Sequence, residues 1–172
     1  MTSFFPDLNV WLALSVAGHS HSADAWAWAN LLPRETGLIF CRYTQIGLLR
    51  LLTNRAVMGE QTLTLRKAWS VYDRWLADPR VDFYPEPRDA DVEFRRVTEP
   101  FGTRPASKWI GDGWLLASSN GLQSTLVTFD KALYQQARKQ GYSVVMPGRD
   151  RSNWKLWPIT LARVISAEGE PL

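Results

Sequence analysis

Three aspartates far apart in the chain, Asp7, Asp112 and Asp130, are the residues whose placement suggests chemistry. Asp7 follows the apolar run SFFP, Asp130 closes the run STLVTF, and Asp112 lies in KWIGDGWLLAS, shortly ahead of that second run. If both runs are strands of an open α/β sheet, two of the acids stand beyond strand carboxyl ends, where such sheets form their ligand crevices. The third reaches them from the helix leading into the later strand. Two carboxylates about 4 Å apart repel by roughly 4 kcal/mol at an effective dielectric near 20, so a proton or a cation must be shared among them. Donors that are all oxygen favour a hard cation, Mg²⁺ or Mn²⁺, held by a few carboxylates with water completing the octahedron. Such a centre leaves positions for phosphate oxygens and an activated water, which phosphodiester hydrolysis requires. The spacing alone is equally open to plainer roles, with Asp7 and Asp130 as helix caps and Asp112 complementing a helix dipole.

The elements that must position these acids can be read from periodicity. SFFP, GLIF, VDFYP, STLVTFD and YSVVM are strand-like and alternate with helical segments. LNVWLALSV turns directly from Asp7 into a short helix, and Ser22 to Leu32 carries small and aromatic residues at helical spacing before Pro33 closes it. Arg42 to Thr53 is apolar almost all round, the pattern of a helix buried between the sheet and another helix or subunit. Gly47 inside it points to close backbone packing, because a mid-helix glycine costs on the order of 1 kcal/mol relative to alanine. Thr64 to Ala77 shows a stripe of Leu65, Ala68, Trp69, Tyr72 and Leu76. Asp89 or Asp91 is placed to cap a helix running to Val97, and FGTRPASK reads as a surface loop. Ile110 to Asn120 follows as a helix with Asp112 in its first turn and Gly121 at its stop, and Lys131 to Gln140 is the last helix. The alternation implies βαβ units, hence an α/β fold of three layers with a central, mostly parallel sheet flanked by helices. Residues 1–146 read as one domain and 147–172 as an arm appended to it.

Composition narrows the functions further. A chain of 172 residues can bury a substantial core unaided. Cys41 is its only cysteine, which excludes an intrachain disulfide and a thiolate zinc site. The apolar runs are too short to span a bilayer, and the start of the chain has neither a basic segment before an apolar run nor a small-residue cleavage site. A cytoplasmic protein without a membrane partner is expected. The net charge of +3 permits a polyanionic partner without demanding one. Most tryptophans sit beside other apolar residues, as in Trp26 and Trp28 or Trp69 and Trp75, which suits core or interface packing better than base stacking. Neither GxxxxGK[ST] nor GxGxxG occurs, so nucleoside triphosphate and dinucleotide chemistry lack support. A single acid after the first strand also fits poorly with a receiver or phosphatase-like domain.

In order along the chain, FPDLNVWLAL, FCRYTQIGLLRLLTN, KWIGDGWLLAS and STLVTFDKAL resemble the successive motifs of PIN-domain toxins of the VapC family, from about Phe4 to Met146. The resemblance implies a PIN-like fold and a Mg²⁺-dependent endoribonuclease that leaves a 5′-phosphate and serves as the toxin of a toxin-antitoxin pair. RNA would be the substrate. The partners it implies are a second copy of the chain and a cognate antitoxin whose C-terminal segment lies across the acidic groove. By the same resemblance Asp7 and Asp112 bind metal, Asp130 completes the pocket and positions the attacking water, Asn9 orients ligands or water unless it is a local cap, and Thr128 supports the acids. Many members carry a glutamate in the helix after the second strand, where this chain offers Thr44 and Gln45. Gln45 can accept from a metal-bound water or donate to phosphate, but it adds no negative charge. That gap leaves a PIN-like RNA-binding or interaction module with little catalysis as the competing reading. Arg104 and Lys108, in the loop before Asp112, are candidates for phosphate contact, set against ordinary solvated charges. Arg149 and Arg151 are of the same kind. His19 and His21, before the second helix, are expected at the surface or in a cap.

Overall fold

The structure is a computed structural model and describes residues 2–149. Its strands are β1 (Ser3–Pro6), β2 (Gly37–Phe40), β3 (Val81–Phe83), β4 (Thr125–Val127) and β5 (Val144–Val145). They form one sheet in the order β3-β2-β1-β4-β5, with every pairing parallel. The chain builds outward from β1 to β3 and then returns to place β4 on the other flank of β1, so the strand order reverses between β1 and β4. That is where an open parallel sheet leaves a crevice at its carboxyl end.

The crossovers between parallel strands distribute the helices over both faces of the sheet. α1 (Leu8–Ser15), α2 (Ser22–Leu31), α3 (Arg42–Leu52), the short α4 (Arg55–Met58) and α5 (Leu65–Leu76) follow the strands of the first half, and α1, α2, α3 and α5 cover one face of the sheet. α6 (Ala90–Thr98), α7 (Ser107–Gly121) and α8 (Lys131–Lys139) cover the other. Alternation along the strands feeds both cores: Phe4, Leu38, Phe40 and Val127 enter the first, while Phe5, Ile39, Leu126 and Val144 enter the second. The three-layer α/β expectation holds. The first core is strongly aromatic. Trp11 stacks on Phe40 with centroids 3.8 Å apart, Trp75 meets Trp11 edge-on, and Phe4 meets Trp28 in the same way.

Several elements depart from the sequence expectations in rotation or boundary. α3 is one-sided, not apolar all round: Thr44, Gln45, Leu48 and Leu52 are buried, whereas Tyr43 and Ile46 are 37% and 51% exposed. Thr44 is buried because its hydroxyl donates to the Cys41 carbonyl and accepts from the Cys41 N–H, closing the first turn. The close packing expected at Gly47 is present, since a methyl there would run into the Leu8 side chain. α5 buries Ala68, Val71 and Tyr72, leaving Leu65, Trp69 and Leu76 exposed, while the Trp75 indole N–H donates to Ser15 Oγ at 2.8 Å. α7 begins at Ser107, so Asp112 sits in its second turn and Lys108 belongs to the helix, not to the preceding loop. Neither Asp89 nor Asp91 caps α6 through its side chain; Asp91 pairs with Arg95 at 3.0 Å. Arg151 and nearly all of the C-terminal arm lie outside the described residues. Among the described residues no helix is long and apolar enough to cross a membrane.

Trp11 is fully buried, yet its indole N–H has no hydrogen-bond partner among the described residues. The ring therefore contributes through packing alone. Trp11→Ala should lower the free energy of unfolding in urea by about 3–5 kcal/mol. Trp11→Phe should cost clearly less, and equal losses in the two variants would show that the nitrogen matters.

Candidate active site

Asp7 is fixed by three neighbours. Its own N–H donates to the Val127 carbonyl at 2.8 Å, which extends the β1–β4 ladder by one residue and brings Asp7 beside Thr128. As the N-cap of α1 it accepts the Leu8 N–H on Oδ1 at 2.5 Å, and its Oδ2 accepts the Thr128 hydroxyl at 2.8 Å. Only 6% of Asp7 is exposed. Burial is the main reason its carboxyl is pushed up to about 6; the bonds from Thr128 and Leu8 oppose the shift, and the charges of Asp112 and Asp130 add to it.

Thr128 is the junction of the site. Its hydroxyl donates to Asp7 and accepts from the Asp130 N–H at 3.0 Å and from Asn9 Nδ2 at 3.3 Å, which uses its full hydrogen-bonding capacity. Asn9 is not a local cap. Its Oδ1 accepts the Phe129 N–H at 3.2 Å, so both ends of the amide tie α1 to the turn between β4 and α8. Asp130 ends that turn as the N-cap of α8, accepting from the N–H groups of Ala132 and Leu133 at 2.7 and 3.0 Å. Its second oxygen receives the Lys108 ammonium at 2.9 Å. Burial opposes ionisation of Asp130, but these donors outweigh it and hold the carboxyl below its usual range.

Asp112 is treated differently. It is pushed up to about 6 by burial and by the charge of Asp130, with Lys108 only partly compensating, and its buried Oδ2 has no hydrogen-bond partner among the described residues. A buried carboxylate oxygen without a donor is costly unless something outside the polypeptide supplies the positive charge. Asp7 and Asp112 therefore fit a hard divalent cation by an oxygen-only donor set, raised proton affinities and one vacant oxygen. Among the described residues no group of three or more acidic, histidine or cysteine side chains is close enough to hold a metal.

The other sequence candidates divide. Lys108 lies in the acidic site but is paired with Asp130, and Arg104 stands over the Phe101 ring at 5.3 Å instead of facing the acids. Thr44 and Gln45 are engaged within α3. Thr44 caps α3, and Gln45 is buried, its Oε1 accepting from the Arg42 guanidinium while its side chain also bonds Tyr72. Gln45 thus does not stand in for an acid at this site. Arg149 lies over Tyr134 at 5.1 Å. His21 occupies the N-cap position of α2 without a side-chain cap bond and stacks on Phe129 at 4.3 Å. Sequence reasoning missed Tyr43. Its hydroxyl sits so close to Gly111 that a methyl on that glycine would strike it, and after burial the charges of Asp7 and Asp112 are the next causes that raise its phenol. The signal was available in Gly47: the contact with Leu8 sets the face of α3 that holds Tyr43, one turn earlier, beside Asp7.

Comparison with known proteins gives a consistent set of neighbours. The chain is 38% identical over 135 residues to Ribonuclease VapC41 of Mycobacterium tuberculosis, covering 75% of this chain and 90% of that protein. Among solved structures, VapBC2 of Rickettsia felis bound to promoter DNA matches with a TM-score of 0.60 at 11% identity, over 85% of this chain and 99% of that one. VapC20 of Mycobacterium tuberculosis, a toxin that cleaves the sarcin-ricin loop, matches with a TM-score of 0.58 at 16% identity, over 81% and 95%. No protein-family model matches the chain.

The raised carboxyls carry a prediction for the metal-free protein. A carboxyl raised in the fold binds its proton more tightly folded than unfolded, so its stabilising contribution is complete below the unfolded value of 3.8 and lost as pH rises through about 6. The contribution of these groups to the melting temperature should therefore fall from about pH 4 to just above pH 6, and Asp112→Asn should flatten that fall. At pH 7.5 in EDTA the variant should melt higher than the parent, by about 2–4 °C for each kcal/mol recovered. A lower melting point for the variant would contradict the placement of Asp112 Oδ2.

Proposed function

The chain belongs to the VapC family of PIN-domain ribonucleases, and from that premise we propose that it is a Mg²⁺-dependent endoribonuclease acting as the toxin of a toxin-antitoxin pair. The observation that carries this reading is the buried Oδ2 of Asp112, unpartnered among the described residues, beside the raised carboxyl of Asp7 at the strand-order reversal. Asp7 and Asp112 would hold Mg²⁺, with Mn²⁺ as a plausible substitute. When bound, the cation polarises the phosphate and lowers the pKa of a water in its shell. Thr128 keeps Asp7 in place, and Asn9 keeps the turn carrying Asp130 against α1. Asp130, ionised at neutral pH by its backbone donors and Lys108, accepts a hydrogen bond from the attacking water and orients it on the phosphorus. Attack by that water leaves a 5′-phosphate and a 3′-hydroxyl.

The proposed partners are RNA, a cognate antitoxin and a second copy of the chain. Ile46, Leu65 and Trp69, exposed on α3 and α5, supply apolar surface suited to a protein partner. VapBC complexes are among the structures that share this fold.

The test is incubation of antitoxin-free protein with a pool of structured and unstructured RNAs in Mg²⁺ or EDTA. Cleavage should occur in Mg²⁺ only, and Asp7→Ala and Asp112→Asn should each lose about 100-fold or more, the equivalent of several kcal/mol in the transition state. RNA bound but left intact would favour the binding-module reading; full turnover in either variant would remove that aspartate from the mechanism.

A further inference from the structure

We propose that Tyr43 is a substrate-contacting residue, its hydroxyl donating a hydrogen bond to a nonbridging oxygen of the RNA phosphate held at Asp7 and Asp112. The proposal rests on the ribonuclease reading above and adds the group that α3 contributes to it. Three observations place the hydroxyl. Gly47 packs against Leu8, the residue next to Asp7, so the face of α3 carrying Tyr43 lies along the start of α1. The Tyr43 hydroxyl abuts Gly111, the residue before Asp112, with no room for a methyl between them. Tyr43 is 37% exposed, and among the described residues no group accepts a hydrogen bond from its hydroxyl.

The alternatives on the same helix turn are otherwise engaged. Thr44 is consumed by the Cys41 cap, Gln45 by Arg42 and Tyr72, and the Arg42 guanidinium lies over Phe83 at 4.8 Å. Tyr43 is left as the polar group of this turn that faces the acids. A phosphodiester entering a carboxylate pocket meets repulsion, and a neutral hydroxyl can donate to it without burying a further full charge. Arg50, two turns along α3 and exposed, adds a cation within electrostatic reach of Tyr43. Gly111 is then required by function: it leaves space for the phenol beside Asp112.

The experiment compares the parent protein, Tyr43→Phe and Gly111→Ala, measuring kcat/KM for RNA cleavage in Mg²⁺, affinity for a fluorescent RNA with Ca²⁺ in place of Mg²⁺, and melting temperature. Tyr43→Phe should lower kcat/KM by about 10- to 100-fold and weaken RNA binding by about threefold to tenfold, with melting unchanged. Gly111→Ala should reproduce these losses by displacing the hydroxyl, and should add little to Tyr43→Phe in the double variant. Unchanged turnover and affinity in Tyr43→Phe would overturn the proposal, as would a loss matched by a fall in melting temperature. If the parent does not cut RNA, the ribonuclease reading fails by itself, and the affinity comparison in Ca²⁺ still decides for or against Tyr43.

Discussion

The arrangement depends on burying one carboxylate, that of Asp7, at the seam between β1 and β4. A buried acid needs donors, and the parallel register provides them: the Asp7 N–H pairs with Val127 O, which sets Thr128 alongside, and the Thr128 hydroxyl takes Asp7 Oδ2. With its one proton committed to Asp7, that hydroxyl can only accept from the Asp130 N–H and from Asn9. Asn9 in turn fixes the Phe129 backbone. The first strand, the fourth strand and the start of α8 are thereby joined through one side-chain oxygen.

The three aspartates end in different electrostatic conditions although they share a site. Asp130 has two backbone donors and an ammonium and is held below its usual range; Asp7, despite the bonds from Thr128 and Leu8, and Asp112, despite Lys108, are raised by burial to about 6. Such a site works against the stability of the metal-free fold, a pattern expected where a local arrangement serves chemistry. The aromatic core under α1 offsets this cost at a distance. Trp11, Phe40, Tyr72 and Trp75 hold α1 and α5 on the sheet independently of the acids.

How much of this was legible in the sequence follows from the kind of interaction involved. The five strands and the acids at strand ends were readable because apolar runs and their terminating residues are local signals. Helix rotation was not. α3 looks apolar throughout, yet it buries Thr44 and Gln45 because the Cys41 cap and the Arg42 and Tyr72 contacts satisfy their polar groups, and this turns Tyr43 outward. The apolar stripe on α5 includes Ala68 and Tyr72, which the helix buries, but the buried face is completed by Val71 while Leu65, Trp69 and Leu76 stay exposed. Gly and Pro in FGTRPASK suggested a loop reaching Lys108, but α7 starts at Ser107, and the shift places Lys108 one turn before Asp112, where it can reach Asp130. Gln45 was weighed as a replacement for an acid because it occupies the expected segment. Its contacts are set by tertiary packing that no local pattern encodes.

The most direct test of the central claim is calorimetric titration of Mn²⁺ into antitoxin-free protein between pH 5 and pH 7.5, repeated in two buffers of different ionisation enthalpy and in Asp112→Asn. If Asp7 and Asp112 hold the cation, binding should strengthen as pH rises through about 6, release protons near that pH, and weaken strongly in the variant. Affinity that is independent of pH over this range, or unchanged in Asp112→Asn, would contradict a metal site built on these two carboxylates.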